Sequence, residues 1–219
     1  MMQPVDYHIA SIRELEQQWP REPNAWLSRL EQQRCLQLTH PQRRSEWMAA
    51  RWLGKRMLSE GCEHPLSQIE IRSVNSEQHP CRPQAFVNDV LQPCDVSISH
   101  SADWVAVALA TSGNGRIGID LVPEHLPSKH SMNVWLTQGE QVLLNDVGSG
   151  VTLSILWGIK EAVYKAVNHG EAFRPALWDV RRLPDQQYQC LAPSDVAVEC
   201  SIQVVRHEDH IVAVATCSL

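Results

Sequence analysis

The chain has 219 residues, 43% hydrophobic and 20% charged, with a net charge of -6 and a pI near 5.9. This is an ordinary globular balance rather than a disordered one, and the length suffices for one large packed core or two small ones. So acidic a chain is not a general nucleic-acid binder, because phosphate contacts need clustered Lys and Arg; a local basic pocket for one phosphorylated small molecule remains open. No apolar run approaches membrane-spanning length, and Met1 to Tyr7 lacks a basic stretch followed by an apolar core, so neither a membrane span nor a signal peptide is expected. The seven cysteines are odd in number, scattered and free of any Cys-x-x-Cys pair, which predicts free thiols in a cytoplasmic protein.

In chain order, residues 24–38 and 43–60 read as helices. In the second, Trp47, Ala50, Leu53, Gly54, Met57 and Leu58 recur at helical spacing, and Gly61 is a plausible stop. Pro80 and Pro83 mark a loop. Asp95 to His100 and Trp104 to Ala110 read as a strand pair. Residues 111–116 carry the strongest turn signal, and the domain boundary is placed at 113, giving subdomains 1–113 and 114–219. Arg116 to Val122 then reads as a strand, 137–147 and 152–168 as helices, and short strands follow near 178–183, 187–191, 197–205 and 211–217. Each half offers helices and antiparallel-looking strands without a strict sequence repeat.

Three segments carry chemistry. In Ile117-Gly-Ile-Asp120 a carboxylate ends a buried apolar strand, and Gly118 lets a backbone or ligand come close. A hard cation such as magnesium wants such oxygen ligands, together with phosphates and water. The plain alternative is an exposed Asp at a turn. In Trp157-Gly-Ile-Lys160-Glu161-Ala-Val-Tyr-Lys165, Trp157, Glu161 and Lys165 are four apart and share one helix face. That face can bind metal, accept a proton and neutralise a phosphate leaving group; the alternative is a surface Glu–Lys pair. Lys160, a quarter-turn away, reads as solvated. In Ser97-Ile-Ser99-His100, a histidine among hydroxyls can donate hydrogen bonds to phosphate or simply sit satisfied in a turn.

Together and in this order, Ser-Ile-Ser-His, Ile-Gly-Ile-Asp and Trp-x-x-Lys-Glu-Ala-x-x-Lys resemble the three signature motifs of the phosphopantetheinyl transferase superfamily. The basic helix Arg44-Ser-Glu-Trp-Met-Ala-Ala-Arg51-Trp-Leu-Gly-Lys55-Arg56 resembles that family's amino-terminal one, so the resemblance runs from about residue 40 to 170. The length resembles the two-domain, surfactin-activating branch. This implies an α+β monomer of two similar halves related by pseudo-twofold symmetry, with the active site in the cleft between them. The implied activity is magnesium-dependent transfer of 4′-phosphopantetheine from coenzyme A to a serine of an apo carrier protein, releasing adenosine 3′,5′-bisphosphate. By motif, Asp120 and Glu161 would hold magnesium, Glu161 would be the general base, and Lys165 would steady the leaving group. Ser99 and His100 would contact phosphates, Arg82 the nucleotide, and Arg51, with Arg44 as second candidate, the 3′-phosphate.

Two positions depart from the family's pattern. Val122 stands where many members have a further metal-ligating Glu, and Glu124 is the nearest carboxylate beyond it in sequence. Gly158 stands where Ser or Thr is common. Residues 123–136 contain Met132, Val134, Trp135 and Leu136, which read either as an apolar docking surface for the carrier or as a loop capping the core. The main rival is a non-catalytic module binding coenzyme A or carrier proteins. A second rival, a magnesium-dependent nucleotide hydrolase, lacks the Gly-x-x-x-x-Gly-Lys-Ser/Thr phosphate loop.

Overall fold

The computed structural model describes residues 5–60, 64–74, 79–111, 115–126, 132–167, 172–192 and 199–218. The chain divides into two compact units, Met1–Gly113 and Asn114–Leu219. Both are α+β, and every described strand pairing is antiparallel.

The first unit runs β1 (Asp6–Ser11), α1 (Ile12–Gln18), α2 (Arg29–Gln37), α3 (Pro41–Ser59), β2 (Ile69–Val74), β3 (Pro80–Val87), β4 (Val90–Leu91), β5 (Cys94–Ser101) and β6 (Trp104–Thr111). Its strands form two sheets, β1-β6-β5 and β2-β3-β4. The core joins Ala49, Ala50, Trp52, Leu53 and Met57 of α3 to Val96, Val105, Val107 and Leu109 of the first sheet. Trp26 is fully buried, stacked on Trp19 and edge-on to Trp52. The loop expected at Pro80 and Pro83 is instead β3. Its register against β2 shifts between Arg72 and Val74, so the ladder is irregular where the prolines have no N–H to give.

The second unit runs β7 (Arg116–Pro123), α4 (Met132–Trp135), α5 (Gln138–Asn145), α6 (Leu153–Val167), β8 (Asp179–Arg182), β9 (Tyr188–Leu191), β10 (Glu199–His207) and β11 (His210–Ser218). Its larger sheet has the order β10-β11-β7, and β8 pairs with β9. The inner face of α6, with Ile155, Leu156, Ile159, Ala162, Val163 and Ala166, packs on Ile211, Ala213 and Ala215 of β11. Cys200 and Cys217 correct the expectation of free thiols. The β10–β11 hairpin sets them directly opposite, with Cα atoms 4.1 Å apart, and they form a disulfide. Nothing in their 17-residue spacing signals this pairing.

Each unit, taken by itself, is built to the same plan. A strand is followed by three α-helices and a small antiparallel sheet, β2-β3-β4 or β8-β9, and a hairpin then returns to pair with the first strand, giving β1-β6-β5 and β7-β11-β10. A buried clamp recurs as well. In the first unit, Ser28 caps α2 in a reciprocal box with Glu31. Glu31 Oε1 accepts the Ile71 N–H at 3.0 Å, and Oε2 accepts from Lys55 Nζ, which also donates to the Trp26 carbonyl at 2.7 Å. In the second unit, Thr137 caps α5 with Glu140. Glu140 Oε1 accepts the Val180 N–H at 2.8 Å. Lys160 Nζ donates to Glu140 Oε2 at 2.7 Å, to the Trp135 carbonyl at 2.8 Å and to the Pro175 carbonyl at 2.9 Å.

A sequence repeat is therefore present after all, in short form. Trp26-Leu-Ser-x-x-Glu31 matches Trp135-Leu-Thr-x-x-Glu140, and Trp52-x-x-Lys55 matches Trp157-x-x-Lys160. Lys160 is fully buried, not solvated. Three acceptors use all three of its ammonium donors, which offsets much of the desolvation cost. Removing one partner of such a pair typically costs about 3–5 kcal/mol, because the other charge is left buried alone.

Candidate functional site

In the second unit, β7 delivers Asp120 to the face of α6. At Gly118 the two backbones touch: a Cβ added there would lie 1.8 Å from the Ala162 carbonyl oxygen. Two residues on, on the same strand face, Asp120 is 5% exposed. Lys165 Nζ donates to Asp120 Oδ1 at 2.6 Å and to the Ile119 carbonyl at 3.1 Å. Glu161, one turn earlier on α6, has Oε2 4.0 Å from the same ammonium. The end of β7 is tied to α6 by Ser154, whose hydroxyl donates to the carbonyls of Pro123 and Glu124.

Two carboxylates thus converge on one cation. Burial, and next the charge of Asp120, push the Glu161 carboxyl above its ordinary range, while Lys165 pulls it down. A carboxylate with a raised pKa in this setting is suited to accepting a proton. Two hard oxygen donors on adjoining elements also fit magnesium, which takes one or two carboxylates and fills its remaining positions with phosphate and water. Among the described residues no cluster of three or more His, Cys, Asp or Glu side chains converges, so the set does not amount to a cage built from protein ligands alone.

Val122 continues the same strand face and is 3% exposed. Its Cγ2 lies 3.4 Å from where a Gly158 Cβ would stand, so the two departures from the family pattern face each other across the β7–α6 contact. Gly158 lies inside α6 rather than near its start. Glu124 is paired with Arg206 at 2.9 Å. Trp157, one turn before Glu161, is edge-on to Trp135 and Phe173. Trp135 and Leu136 are core residues, 8% and 6% exposed, which removes them from any docking surface for the carrier. Val134 is exposed, and residues 127–131, with the Met132 side chain, lie outside the described residues.

The first unit holds the remaining candidates. A groove of about 820 Å³ is walled by α2, α3, β2, β3 and the end of β5. Arg51 lines it and is 4% exposed. Its guanidinium packs over Trp47 at 4.8 Å, donates to Ser73 Oγ at 2.8 Å and lies 4.0 Å from Glu31, and its buried Nε makes no hydrogen bond among the described residues. Burial lowers its pKa to about 10, a shift that Glu31 resists. His100, exposed at the end of β5, also lines the groove, with Nδ1 3.5 Å from Glu46 Oε2. Ser99 is buried on β5 opposite Ala106.

Arg82 makes a two-pronged ion pair with Asp95, and Arg44 donates to the Leu38 carbonyl; neither is among the groove residues. Sequence reasoning missed Arg34, Arg43 and Arg72 in the wall, and Phe86, on which Arg72 stacks at 3.9 Å. The doublet Arg43-Arg44 was the available signal. It does not say which of two neighbouring helical positions faces inward.

No helix among the described residues is long and apolar enough to cross a membrane. No curated protein matches the chain. Residues 116–215, the segment that holds Asp120, Glu161 and Lys165, match the family model of the 4′-phosphopantetheinyl transferase superfamily, so it is to this family that the second unit is similar, and the match supports phosphopantetheine transfer.

Proposed function

We propose that the chain transfers the 4′-phosphopantetheine arm of coenzyme A to a serine hydroxyl of an apo carrier protein and releases adenosine 3′,5′-bisphosphate. The observation that carries this reading is the convergence of Asp120 and Glu161 on Lys165, inside the segment that matches the transferase family.

The serine oxygen attacks the phosphorus that bears the pantetheine arm. Its P–O bond forms as the bond to the bridging pyrophosphate oxygen breaks. Glu161 takes the serine proton, directly or through a water, and its raised affinity for a proton suits that role. Lys165 lies against the same cluster and holds charge on the departing bisphosphate. Magnesium, held by Asp120 and Glu161 with pyrophosphate oxygens and water, would supply charge neutralisation at the reacting phosphates. No nucleophile is needed from this chain.

The groove of the first unit takes the nucleotide. Its arginines and the flat faces of Trp47 and Phe86 suit phosphate and purine, with Arg51 as the 3′-phosphate contact and His100 toward the pyrophosphate; Ser99, on the other face of β5, is not among the groove residues. Arg82, freed from Asp95, would join them. In this reading the boundary at 113 separates a nucleotide-binding half from a metal-binding half, and one monomer carries both. The net charge of -6 leaves an acidic carrier without global attraction, so docking relies on a local patch.

The test is incubation with coenzyme A, magnesium and a panel of apo acyl, peptidyl and aryl carriers, read by intact mass. Gain of the phosphopantetheine mass on a carrier serine supports the reading. Coenzyme A binding with no carrier modified would establish a binding module instead.

A further inference from the structure

The repeated clamp separates fold from chemistry within the Trp-x-x-Lys-Glu segment. Lys55 and Lys160 occupy matching places: each is fully buried, and each bonds the carbonyl of a Trp and the capping-box Glu of the preceding helix. The residues around them do not match. Glu161 follows Lys160, whereas Arg56 follows Lys55; Lys165 stands five residues on, whereas Glu60 does in the first unit. Strand register puts His8 at the place of Asp120, since Ser11 pairs with Trp104 as Pro123 pairs with His210. The clamp is therefore kept where the acid set is absent. Lys160, although basic and inside the motif, has no donor left for a phosphate.

The two clamps also lead to different places. Lys160 reaches a third acceptor, the Pro175 carbonyl; among the described residues Lys55 has two. The segment anchored at Pro175 includes Phe173, which packs edge-on against Trp157 and tilted against Tyr164, on either side of Glu161 along α6. The glutamate of the other clamp, Glu31, lies 4.0 Å from Arg51 in the groove.

From this we infer that the clamps are positioning devices with divided roles: Lys160 with Glu140 sets the rotation and register of α6 that hold Glu161 beside Asp120 and Lys165, and Lys55 with Glu31 sets Arg51 in the groove. The inference rests on the transferase reading. A displacement of about 1 Å at a reacting group can cost roughly a hundredfold in rate, whereas a displaced binding group acts on affinity.

The experiment is steady-state transfer by the full chain, with rates per folded molecule, for Lys160→Met and Lys55→Met. Should Lys160→Met fail to fold, Lys160→Met/Glu140→Gln removes both buried charges and takes its place. The expected result is a split: the Lys160 variant loses about tenfold or more in kcat with KM for coenzyme A within about twofold, and Lys55→Met raises that KM by about fivefold or more with kcat kept. Equal changes in both variants, or none beyond the loss of folded protein, overturn the inference while wild-type activity leaves the transferase reading standing. A wild-type protein that transfers nothing to any carrier overturns both.

Discussion

Gly118→Ala tests how Asp120 is placed. The added methyl would stand 1.8 Å from the Ala162 carbonyl oxygen and 2.8 Å from both the Ala162 carbonyl carbon and the Ala166 nitrogen, where Cβ atoms keep at least 3.0 Å. These are backbone atoms of a hydrogen-bonded helix and cannot rotate away, so α6 must retreat from β7 by about 1.2 Å, the difference between 3.0 and 1.8 Å. Overpacking of this kind costs about 1–3 kcal/mol or more, against a gain of about 0.4–1 kcal/mol from a less flexible unfolded chain. A net loss of about 2 kcal/mol is expected, along with a displaced Glu161 and Lys165. Gly158→Ala on the same contact has the opposite sign. Its methyl meets only the side chains of Ala213 and Val122, both at 3.4 Å, and it removes a glycine from a helix interior, a gain of up to about 1 kcal/mol. Urea denaturation of both variants reads the two values directly. Gly118→Ala as stable as wild type, or Gly158→Ala the more damaging of the two, would refute the close approach of β7 to α6.

Two further outcomes follow from the site. The proton affinity of Glu161 is raised in the fold, so its contribution to stability is full below its ordinary value of 4.5 and is lost as pH rises through the raised one. Glu161→Gln, with metal chelated, is therefore expected to abolish transfer yet be more stable than wild type at neutral pH, the difference vanishing near pH 4; a variant less stable at neutral pH contradicts the assigned burial. Arg51→Ala removes a charge-assisted contact worth about 1.5–3 kcal/mol, so KM for coenzyme A should rise at least about tenfold with little change in kcat, as initial rates against coenzyme A concentration will show. An unchanged KM would mean that the nucleotide lies elsewhere.

Much of the second unit is legible in the amino-acid sequence, because strong local patterns and tertiary packing agree there. Ile117 to Val122 is buried on both faces, with Ile117, Ile119 and Leu121 apolar on one of them, and Leu153 to Val167 has a clean helical face. The gaps have specific causes. β1 alternates weakly and owes its existence to pairing with β6, which no local pattern announces. β3 carries two prolines whose missing donors fall where its register with β2 shifts. Lys160 reads as solvated because helical spacing gives its angle but not the acceptors waiting at Trp135, Glu140 and Pro175. The repeat is hidden because its two parts are differently spaced, 24 residues from Glu31 to Lys55 and 20 from Glu140 to Lys160, and only the shared buried clamp makes them one pattern.

The most direct test of the central claim is intact-mass measurement of an apo carrier after incubation with coenzyme A, magnesium and either the wild-type chain or Asp120→Ala. Wild type is expected to add one phosphopantetheine to the carrier serine. Asp120→Ala, shown to be folded by circular dichroism, is expected to add none. Equal modification by both proteins would contradict the role given to the Asp120–Glu161–Lys165 cluster, and modification by neither, across the carrier panel, would contradict the transferase itself.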